Sequence, residues 1–367
     1  MSEWSSKVDA IIDCHVHMGG IDTEGHVEEV RCATGLAKVG LVAIHDPSGG
    51  GGVPQALYMK ARHAGRYFVL AGLNHAEVRS NGEVSTASLA DQATALAAMG
   101  CDGIKMIEGK PTSRQVMDIP VTDPYFAEYW ERVEELGSPI VWHVNDPEEF
   151  WDPELIPDWA KTRDWGYGPD DVGKEQLYAE VDEVLARHPG LKIMFAHFYF
   201  LSADLPRAAR FLDEHPSASL DLAPGIEMLY NISRDPEEGR AFFTKHADQI
   251  VFGTDLSSGW TIPESIARAG TVYRWLESDD EFRVPATADY LLGSAEDGVI
   301  RGMSLADDVL EKIYRTNFER AVGAEPKPLN VSAAAAACEE MARVAEAMSG
   351  APAAETEAGR VAMALSG

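Results

Sequence analysis

Short apolar runs rich in β-branched residues recur along the chain and alternate with longer stretches in which apolar residues return every three or four positions. Eight of these runs are candidate strands, at residues 9–17, 39–46, 67–74, 101–107, 139–144, 191–197, 218–223 and 249–255. The stretches between them, such as SLADQATALAAMG and KEQLYAEVDEVLARHPG, are typical of amphipathic helices that end at Gly or Pro. Strands that alternate with helices pair in parallel through crossover connections, so eight units of this kind predict an α/β fold, a (β/α)8 TIM barrel.

Three segments depart from a minimal barrel. Residues 46–54 form a glycine-rich loop after the second strand, and residues 145–171 form a long aromatic insertion after the fifth. Near the end of the chain, residues 332–348 have strong helix propensity, and we expect the residues beyond them to be mobile. We therefore divide the chain into a barrel, residues 1–328, and a C-terminal helix with a mobile tail, residues 329–367.

Composition narrows the possible partners. The 367 residues include 60 acidic and 31 basic side chains, which give a formal net charge of −29. A surface this acidic disfavours nucleic acid and anionic membranes as partners. The four cysteines show no CxxC spacing, and neither a basic leader followed by an apolar core nor a membrane-length apolar run is present in the sequence. These features predict a cytoplasmic protein with reduced thiols.

Histidines and one aspartate lie where the predicted strands end. His15 and His17 end the first strand, and their spacing of two places both side chains on the same side of it. His143 is near the end of the fifth strand, His197 ends the sixth, and Asp255 ends the eighth. A single HxH pair arises often by chance, and a single histidine is often a core residue, but all five lie at the edge where barrel enzymes place their chemistry. Imidazoles with a carboxylate suit Zn²⁺ or a related divalent ion.

The ordered motifs resemble those of the amidohydrolase superfamily, and within it the amidohydrolase 2 group, which includes aminocarboxymuconate-semialdehyde decarboxylase, benzoate-type decarboxylases and lactonases. The motifs are IDCHVH, GIKM, PIVWH, KIMFAH and VFGTD, in the first, fourth, fifth, sixth and eighth strands. The resemblance covers residues 9–320. It implies that His15, His17, His143 and Asp255 surround a metal ion, and that Asp255 is also the general base for the bound water. For His197 it implies either a ligand of a second ion or a group that polarises the substrate and moves protons.

Lys105, in the GIKM motif, has two interpretations. In the binuclear branches of the superfamily, a lysine on strand four is carboxylated and bridges two ions. In mononuclear members it is an ordinary cation, which here would pair with the substrate or with a carboxylate such as Glu108. We favour one ion, Zn²⁺ ahead of Mn²⁺ or Fe²⁺, with Lys105 as a substrate-binding residue and a binuclear site with carboxylated Lys105 as the alternative.

Further candidates lie in the predicted loops at the mouth. Arg114 and Arg207 are candidate clamps for a substrate carboxylate, as is Arg163, against the alternative of surface ion pairs. Asn145 and Asp146 are expected to orient the histidine at the end of strand five. Other residues have both a packing and a pocket interpretation; they are His45, His75, the tryptophans at 142, 151, 159 and 165, and the glycines at 49–52, which predict a lid or an anion cradle.

The function that we predict is hydrolysis of a C–N or C–O bond, amide or lactone-like, in a small polar carboxylated substrate by metal-activated water. Non-oxidative decarboxylation of a small carboxylic acid on the same metal site is the alternative. A barrel that has lost catalysis and serves for binding is a third interpretation, which the presence of every acid, base and ligand position disfavours. We also expect a homo-oligomer, assembled through the tail helix.

Overall fold

Parallel strands follow one another around the sheet in the same order as in the chain. The computed structural model describes residues 5–45, 52–225, 227–288, 292 and 298–367. The sheet strands are β1 Ile11–His17, β2 Leu36–Ala43, β3 Tyr67–Gly72, β4 Gly103–Gly109, β5 Ile140–Val144, β6 Ile193–Phe195, β7 Ala218–Asp221, β8 Ile250–Val251 and β9 Leu256–Ser257. Each of the first seven pairs with the next in parallel, and β9 pairs with β1.

The last two short strands close the ring. β8 pairs with β7 and β9 pairs with β1, both in parallel. Between them, Cys14 N donates to the Phe252 carbonyl at 3.0 Å, and Asp255 N donates to the His15 carbonyl at 2.9 Å. Residues 250–257 therefore act as one interrupted eighth strand. All eight predicted strands and the (β/α)8 barrel are confirmed, with strand bounds that are shorter than the apolar runs or, in β2 and β4, shifted along them.

Helices surround the ring. They are α1 Glu24–Ala33, α2 Val53–Arg62, α3 Ala76–Arg79, α4 Leu89–Met99, α5 Pro111–Met117, α6 Ala127–Leu136, α7 Asp158–Lys161, α8 Lys174–Arg187, α9 Leu205–Glu214, α10 Met228–Ser233, α11 Pro236–Lys245, α12 Ile262–Glu277, α13 Asp307–Glu311, α14 Asn317–Ala321, α15 Val331–Ser349 and α16 Glu357–Ser366. Single 3-10 turns lie at Ile21–Thr23, Pro124–Phe126, Glu148–Trp151, Ala196–Phe200, Ala247–Gln249 and Ala353–Glu355, and a π-helical turn at Lys312–Thr316. An antiparallel pair, β10 Glu281–Phe282 and β11 Ile300–Arg301, lies outside the barrel.

The core lies between the strands and the helices. Every residue of β3 is buried, as expected for a parallel strand that is covered on both faces. Trp142 on β5 belongs to this core and stacks on Phe195 of β6, with ring centroids 5.9 Å apart. No helix in the described part of the chain combines the length and the apolar character needed to cross a membrane.

The insertion after β5 has a small core of its own. Phe150, Ile156, Ala160 and Tyr167 are buried together, and the rings of residues 151, 159 and 165 pack against them. The three tryptophans of the insertion thus pack the loop, as one of their two interpretations predicts. Of the glycine-rich loop, residues 46–51 lie outside the described residues, and Gly52 directly precedes α2.

The C-terminal segment forms two helices rather than one. α15 confirms the predicted helix, but the residues beyond it, which we expected to be mobile, form α16. One face of α16 buries Ala358, Val361 and Ala362 against the barrel and α15. Glu357 anchors the helix start by accepting from Ile21 N at 3.1 Å. Alanine loses almost no side-chain entropy on burial, so even this weakly apolar face is sufficient for docking. The division of the chain at residue 328 stays a prediction.

Candidate metal centre

Three side chains from the first and the last strand of the barrel meet at its C-terminal edge. His17 Nε2 lies 3.1 Å from Asp255 Oδ1, and His15 Nε2 lies 3.5 Å from the same oxygen. One ligand atom of each of these residues lies within 4.8 Å of the others. Ligands bound to one ion at about 2.0–2.2 Å are separated by about 3–4 Å, so the spacing and the donor types fit a single divalent ion.

Asp255 has an unusual backbone conformation that directs its carboxylate to this edge. It lies in the break between β8 and β9 with φ of 56°, in the left-handed region that non-glycine residues rarely adopt. Such a conformation costs about 1–2 kcal/mol and is concentrated at functional sites. Burial opposes ionisation of the carboxyl, but the hydrogen bond with His17 and the nearby imidazoles of His15 and His17 hold the pKa of Asp255 well below its ordinary value.

Asp221, at the end of β7, orients His15. Its Oδ2 lies 2.7 Å from His15 Nδ1, and its Oδ1 accepts hydrogen bonds from the backbone N–H groups of His197, at 2.8 Å, and Ala223, at 3.0 Å. A carboxylate at Nδ1 fixes the tautomer in which Nε2 carries the lone pair, as in many metal sites. Burial raises the pKa of Asp221 to about 6. Sequence reasoning missed this residue, although an aspartate at the end of the apolar run ASLDLA was a usable signal.

Asp13 supports the same strand from below the edge. Its Oδ1 accepts from His15 N at 2.9 Å and from Thr254 N at 3.2 Å, and its Oδ2 accepts from the Thr254 hydroxyl at 2.5 Å. Burial raises the pKa of Asp13 to about 7, against the effect of these hydrogen bonds. Asp13 therefore ties β1 to the segment that carries Asp255, and sequence reasoning missed it too.

His197 lies in a left-handed turn that directly follows β6. Its φ is 56°, and Phe198, Tyr199 and Phe200 continue the left-handed region with φ of 56°, 56° and 50°. His197 Nδ1 lies 3.0 Å from the Ala223 carbonyl, so Nδ1 is the protonated nitrogen and Nε2 carries the lone pair. Its ring centroid is 5.2 Å from that of His15, and burial lowers its pKa to about 4. His197 is therefore a neutral donor beside the three clustered side chains.

His143 contacts the His197 ring rather than the three clustered side chains. Its ring centroid is 4.7 Å from that of His197, and its Nε2 lies 2.9 Å from the Asn145 carbonyl and 3.3 Å from Asp146 Oδ1. Nε2 is thus engaged with these two neighbours, and Nδ1 remains as the lone-pair nitrogen. Burial holds the pKa of His143 well below its ordinary value. Of the five predicted ligands, His15, His17 and Asp255 form the cluster; His197 contacts His15, and His143 contacts His197.

Lys105 is buried on β4 with its Nζ 3.4 Å from His15 Nε2. Burial lowers its pKa to about 8. Its suggested partner Glu108 instead pairs with His75, whose Nε2 lies 2.7 Å from Glu108 Oε1. No carboxylate of the described residues forms an ion pair with Lys105. Lys105 also lines a narrow pocket, with about 10 Å³ of space, together with His45 and His75.

The predicted arginine clamps form hydrogen bonds with residues outside the cluster. Arg114 pairs with Glu180 of α8 at 3.0 Å, and Arg207 makes two hydrogen bonds to Glu175, at 2.8 and 2.9 Å. Arg163 is exposed and donates to the Trp159 carbonyl at 3.0 Å. These contacts match the ion-pair alternative for Arg114 and Arg207, and substrate binding by either residue stays a prediction.

Solved structures share this fold at low sequence identity. An uncharacterised TIM-barrel protein from Bordetella bronchiseptica is 14% identical with a TM-score of 0.51, and covers 86% of this chain and 99% of its own. The 5-carboxyvanillate decarboxylase from Sphingomonas paucimobilis is 11% identical with a TM-score of 0.51, and 2,6-dihydroxybenzoate decarboxylase from Rhizobium is 14% identical with a TM-score of 0.50; each covers 86% of this chain and 99% of its own. At this identity the likeness establishes the fold.

Comparison of the sequence with known protein families identifies the family to which the chain belongs. No curated protein matches the chain in sequence. The family model described as Amidohydrolase, however, matches residues 12–324, from β1 through the last barrel helix. This match confirms the resemblance drawn from the strand motifs. The chain belongs to the amidohydrolase family.

Proposed function

We propose that this protein is a divalent-metal-dependent hydrolase that cleaves a C–N or C–O bond in a small carboxylated substrate. The observation that carries the proposal is the placement of the Asp255 carboxylate 3.1 Å from His17 Nε2 and 3.5 Å from His15 Nε2 at the edge of the barrel. These three residues would hold the ion, Zn²⁺ ahead of Mn²⁺ or Fe²⁺. A bound ion of this kind lowers the pKa of water and polarises a carbonyl.

Asp255 has the properties of the general base. Its pKa is held well below the ordinary value, so the carboxylate is ionised throughout the working range of pH. An ion beside it would lower the pKa of water enough for this weakly basic carboxylate to accept the proton. The same carboxyl then delivers that proton to the leaving nitrogen or oxygen. His197 is neutral and carries its lone pair on Nε2. A ring in this state suits the role of a fourth metal ligand or of a proton acceptor better than that of a hydrogen-bond donor to a substrate carbonyl.

Lys105 would bind the substrate carboxylate. A buried ammonium is costly unless a negative charge accompanies it, and no carboxylate of the described residues forms an ion pair with this one. The position of its Nζ, 3.4 Å from His15 Nε2, would place a bound carboxylate next to the ion. Lys105 is therefore a substrate-binding residue in this proposal.

Decarboxylation is the second candidate, because a carboxylate bound between Lys105 and the ion is also the group that a decarboxylase removes. Two structures of this fold are named as decarboxylases. In that reaction Lys105 would hold the scissile carboxylate, and a protonated carboxyl or water would deliver a proton to the carbon. The two reactions release different products, so they are separable by assay.

The test is a product assay on the full chain loaded with Zn²⁺ or Mn²⁺ and presented with a library of amides, lactones and aromatic acids. We expect a new carboxylate, with ammonia or an alcohol, and no CO₂. Asp255→Asn should lower kcat about 10²- to 10⁴-fold, whereas the exposed control Asp182→Asn should leave it unchanged.

Release of CO₂ without hydrolysis would instead establish the decarboxylase. A folded protein that binds neither Zn²⁺ nor Mn²⁺ would contradict both the hydrolase and the decarboxylase proposals. It would favour the interpretation of a barrel that has lost catalysis and serves for binding. Homo-oligomeric assembly and a cytoplasmic location stay predictions; sedimentation of the full chain against a chain ending at residue 328 tests the first.

A further inference from the structure

A second cavity, of about 400 Å³, opens beside the candidate metal centre. Its walls come from the insertion after β5, from the start of α8 and from the segment before α10. Phe200 separates it from the centre, because the Phe200 ring lies 5.5 Å from the His143 ring and 5.4 Å from the His197 ring. A ligand in this cavity is therefore one aromatic ring away from the predicted ligands, within reach of a substrate that extends past Phe200.

Glu227 is an unpaired acid in the wall of this cavity. It is 9% exposed, and neither carboxylate oxygen has a hydrogen-bond partner in any other described residue. A buried carboxylate without a partner is rare and unfavourable. Burial raises the pKa of Glu227 to about 7. Gly225 leaves room for the group, since a Cβ at that position would lie 2.6 Å from Glu227 Oε2.

The remaining charges of the cavity favour a cationic ligand. Its lining carries four carboxylates against two cations; these are Glu148, Glu149, Asp152 and Glu227 against Lys174 and Arg234. Lys174 is already engaged, because its Nζ donates to the Asp146 carbonyl at 2.8 Å. Arg234 is exposed at the rim. Among the described residues, neither cation forms an ion pair with Glu227.

Aromatic side chains add to this preference. The Trp151 and Phe200 rings line the cavity, and the Lys174 ammonium lies 5.7 Å and 5.6 Å from their centroids. The faces of such rings attract cations, most strongly where water is excluded. This wall thus already accommodates one ammonium group, whose charge acts on Glu227 without forming an ion pair with it.

We infer that Glu227 binds an ammonium group of the substrate, beyond the bond that is cleaved at the metal centre. This inference rests on the proposed function for the position of that bond. It makes Glu227 a specificity-determining residue and narrows the substrate class to compounds with a carboxylate at one end and a primary amine at the other. A carboxylate that is short of donors forms strong charge-assisted hydrogen bonds with an ammonium group.

The inference is tested by calorimetry on the full chain, with n-pentylamine and n-pentanol as probes of equal length. At pH 8.5 Glu227 is ionised and the amine is protonated. We expect the amine to bind at least tenfold more tightly than the alcohol. Glu227→Gln should remove that preference, whereas Glu148→Gln, an exposed acid of the same lining, should change it less than twofold.

Equal binding of the two probes, or an unchanged preference in Glu227→Gln, would overturn the inference. Should that variant fail to fold, Glu149→Gln replaces it, because Glu149 Oε2 is also buried without a partner among the described residues and should lose at least threefold of the preference. Failure of the two proposals is distinguishable. Amine binding without any hydrolysis counts against the proposed function alone, and hydrolysis without any preference for amines counts against this inference alone.

Discussion

Substitution of Asp221 by asparagine tests whether the Asp221 carboxylate determines which ring nitrogen of His15 carries the proton. In the wild type, Asp221 Oδ1 accepts from two backbone N–H groups, those of His197 at 2.8 Å and Ala223 at 3.0 Å. The same two donors would hold the carboxamide oxygen of asparagine in that place. Its NH₂ group would then face His15 Nδ1, which lies 2.7 Å from Oδ2 in the wild type. Two donors cannot share that contact, so His15 must protonate Nε2 instead and withdraw the lone pair that faces Asp255.

The expected loss follows from this tautomer change. Removal of a group that orients a metal ligand typically lowers metal affinity 10- to 100-fold. Because asparagine would stabilise the wrong tautomer rather than only remove the right contact, we expect the upper end, about 100-fold. This corresponds to about 2.8 kcal/mol at 1.4 kcal/mol per factor of ten.

The assay is competition with a chromogenic chelator for Zn²⁺, repeated with Mn²⁺, with ¹⁵N chemical shifts of the His15 ring to identify the tautomer. Asp182→Asn, an exposed aspartate on α8, is the matched control and should bind within twofold of the wild type. A folded Asp221→Asn protein that binds Zn²⁺ within threefold of the wild type would refute the reasoning, as would an unchanged His15 tautomer.

Three further predictions address other parts of the molecule. Lys105→Met should raise KM for carboxylated substrates at least tenfold without lowering the melting temperature, because it removes a buried ammonium; steady-state kinetics and calorimetry measure both, and an unchanged KM would contradict it. Because the pKa of Glu227 is raised from 4.5 to about 7, the folded state keeps a proton that the unfolded state loses, so stability falls as pH rises through this window. Glu227→Gln should therefore have a higher melting temperature than the wild type above pH 7 but not below pH 4.5. The gain in free energy of unfolding should be at most about 3 kcal/mol, at about 1.4 kcal/mol per pKa unit. A difference that does not depend on pH would count against this prediction. Gly100→Ala should lower the free energy of unfolding by about 2–4 kcal/mol, because φ is 97° and the new Cβ would lie 2.2 Å from the Pro328 carbonyl oxygen. Gly82→Ala is the control: its φ is 84° but the space around it is open, so it should lower the free energy of unfolding by about 1 kcal/mol. Urea unfolding measures both values, and equal losses would contradict the clash with Pro328.

The barrel was predictable because its signal is repeated eight times. Buried parallel strands require continuous apolar runs, and each run in the sequence marks one strand of the ring. The bounds were less predictable, since burial continues past the last ladder hydrogen bond. The run at 191–197 is an example: its strand ends at Phe195, and His197 turns into the left-handed region, which no apolar pattern signals.

The positions of the candidate site residues were predictable where they follow from the alternation of side chains along a strand or from the end of a strand. His15 and His17 share one side of a strand, and Asp255 ends another, so their convergence follows from the barrel. The direction in which a ring nitrogen points does not follow, because it depends on partners such as Asp221 and the Ala223 carbonyl that lie far away in the chain. The docking of α16 was missed for a similar reason, since alanine-rich faces give little contrast between buried and exposed positions.

The interrupted strand at residues 250–257 joins the beginning of the barrel to its end, and the candidate ligands lie on both sides of this joint. His17 and Asp255 are 238 positions apart (255 − 17), so no partly folded chain that lacks the final pairing can bring them together. Any cation bound there stabilises only the completed ring, by an amount that grows with its concentration. Chelation should consequently loosen the contact between the first and last strands ahead of the rest of the barrel, and amide hydrogen exchange at Asp255 and Ser258 would be the earliest sign of it.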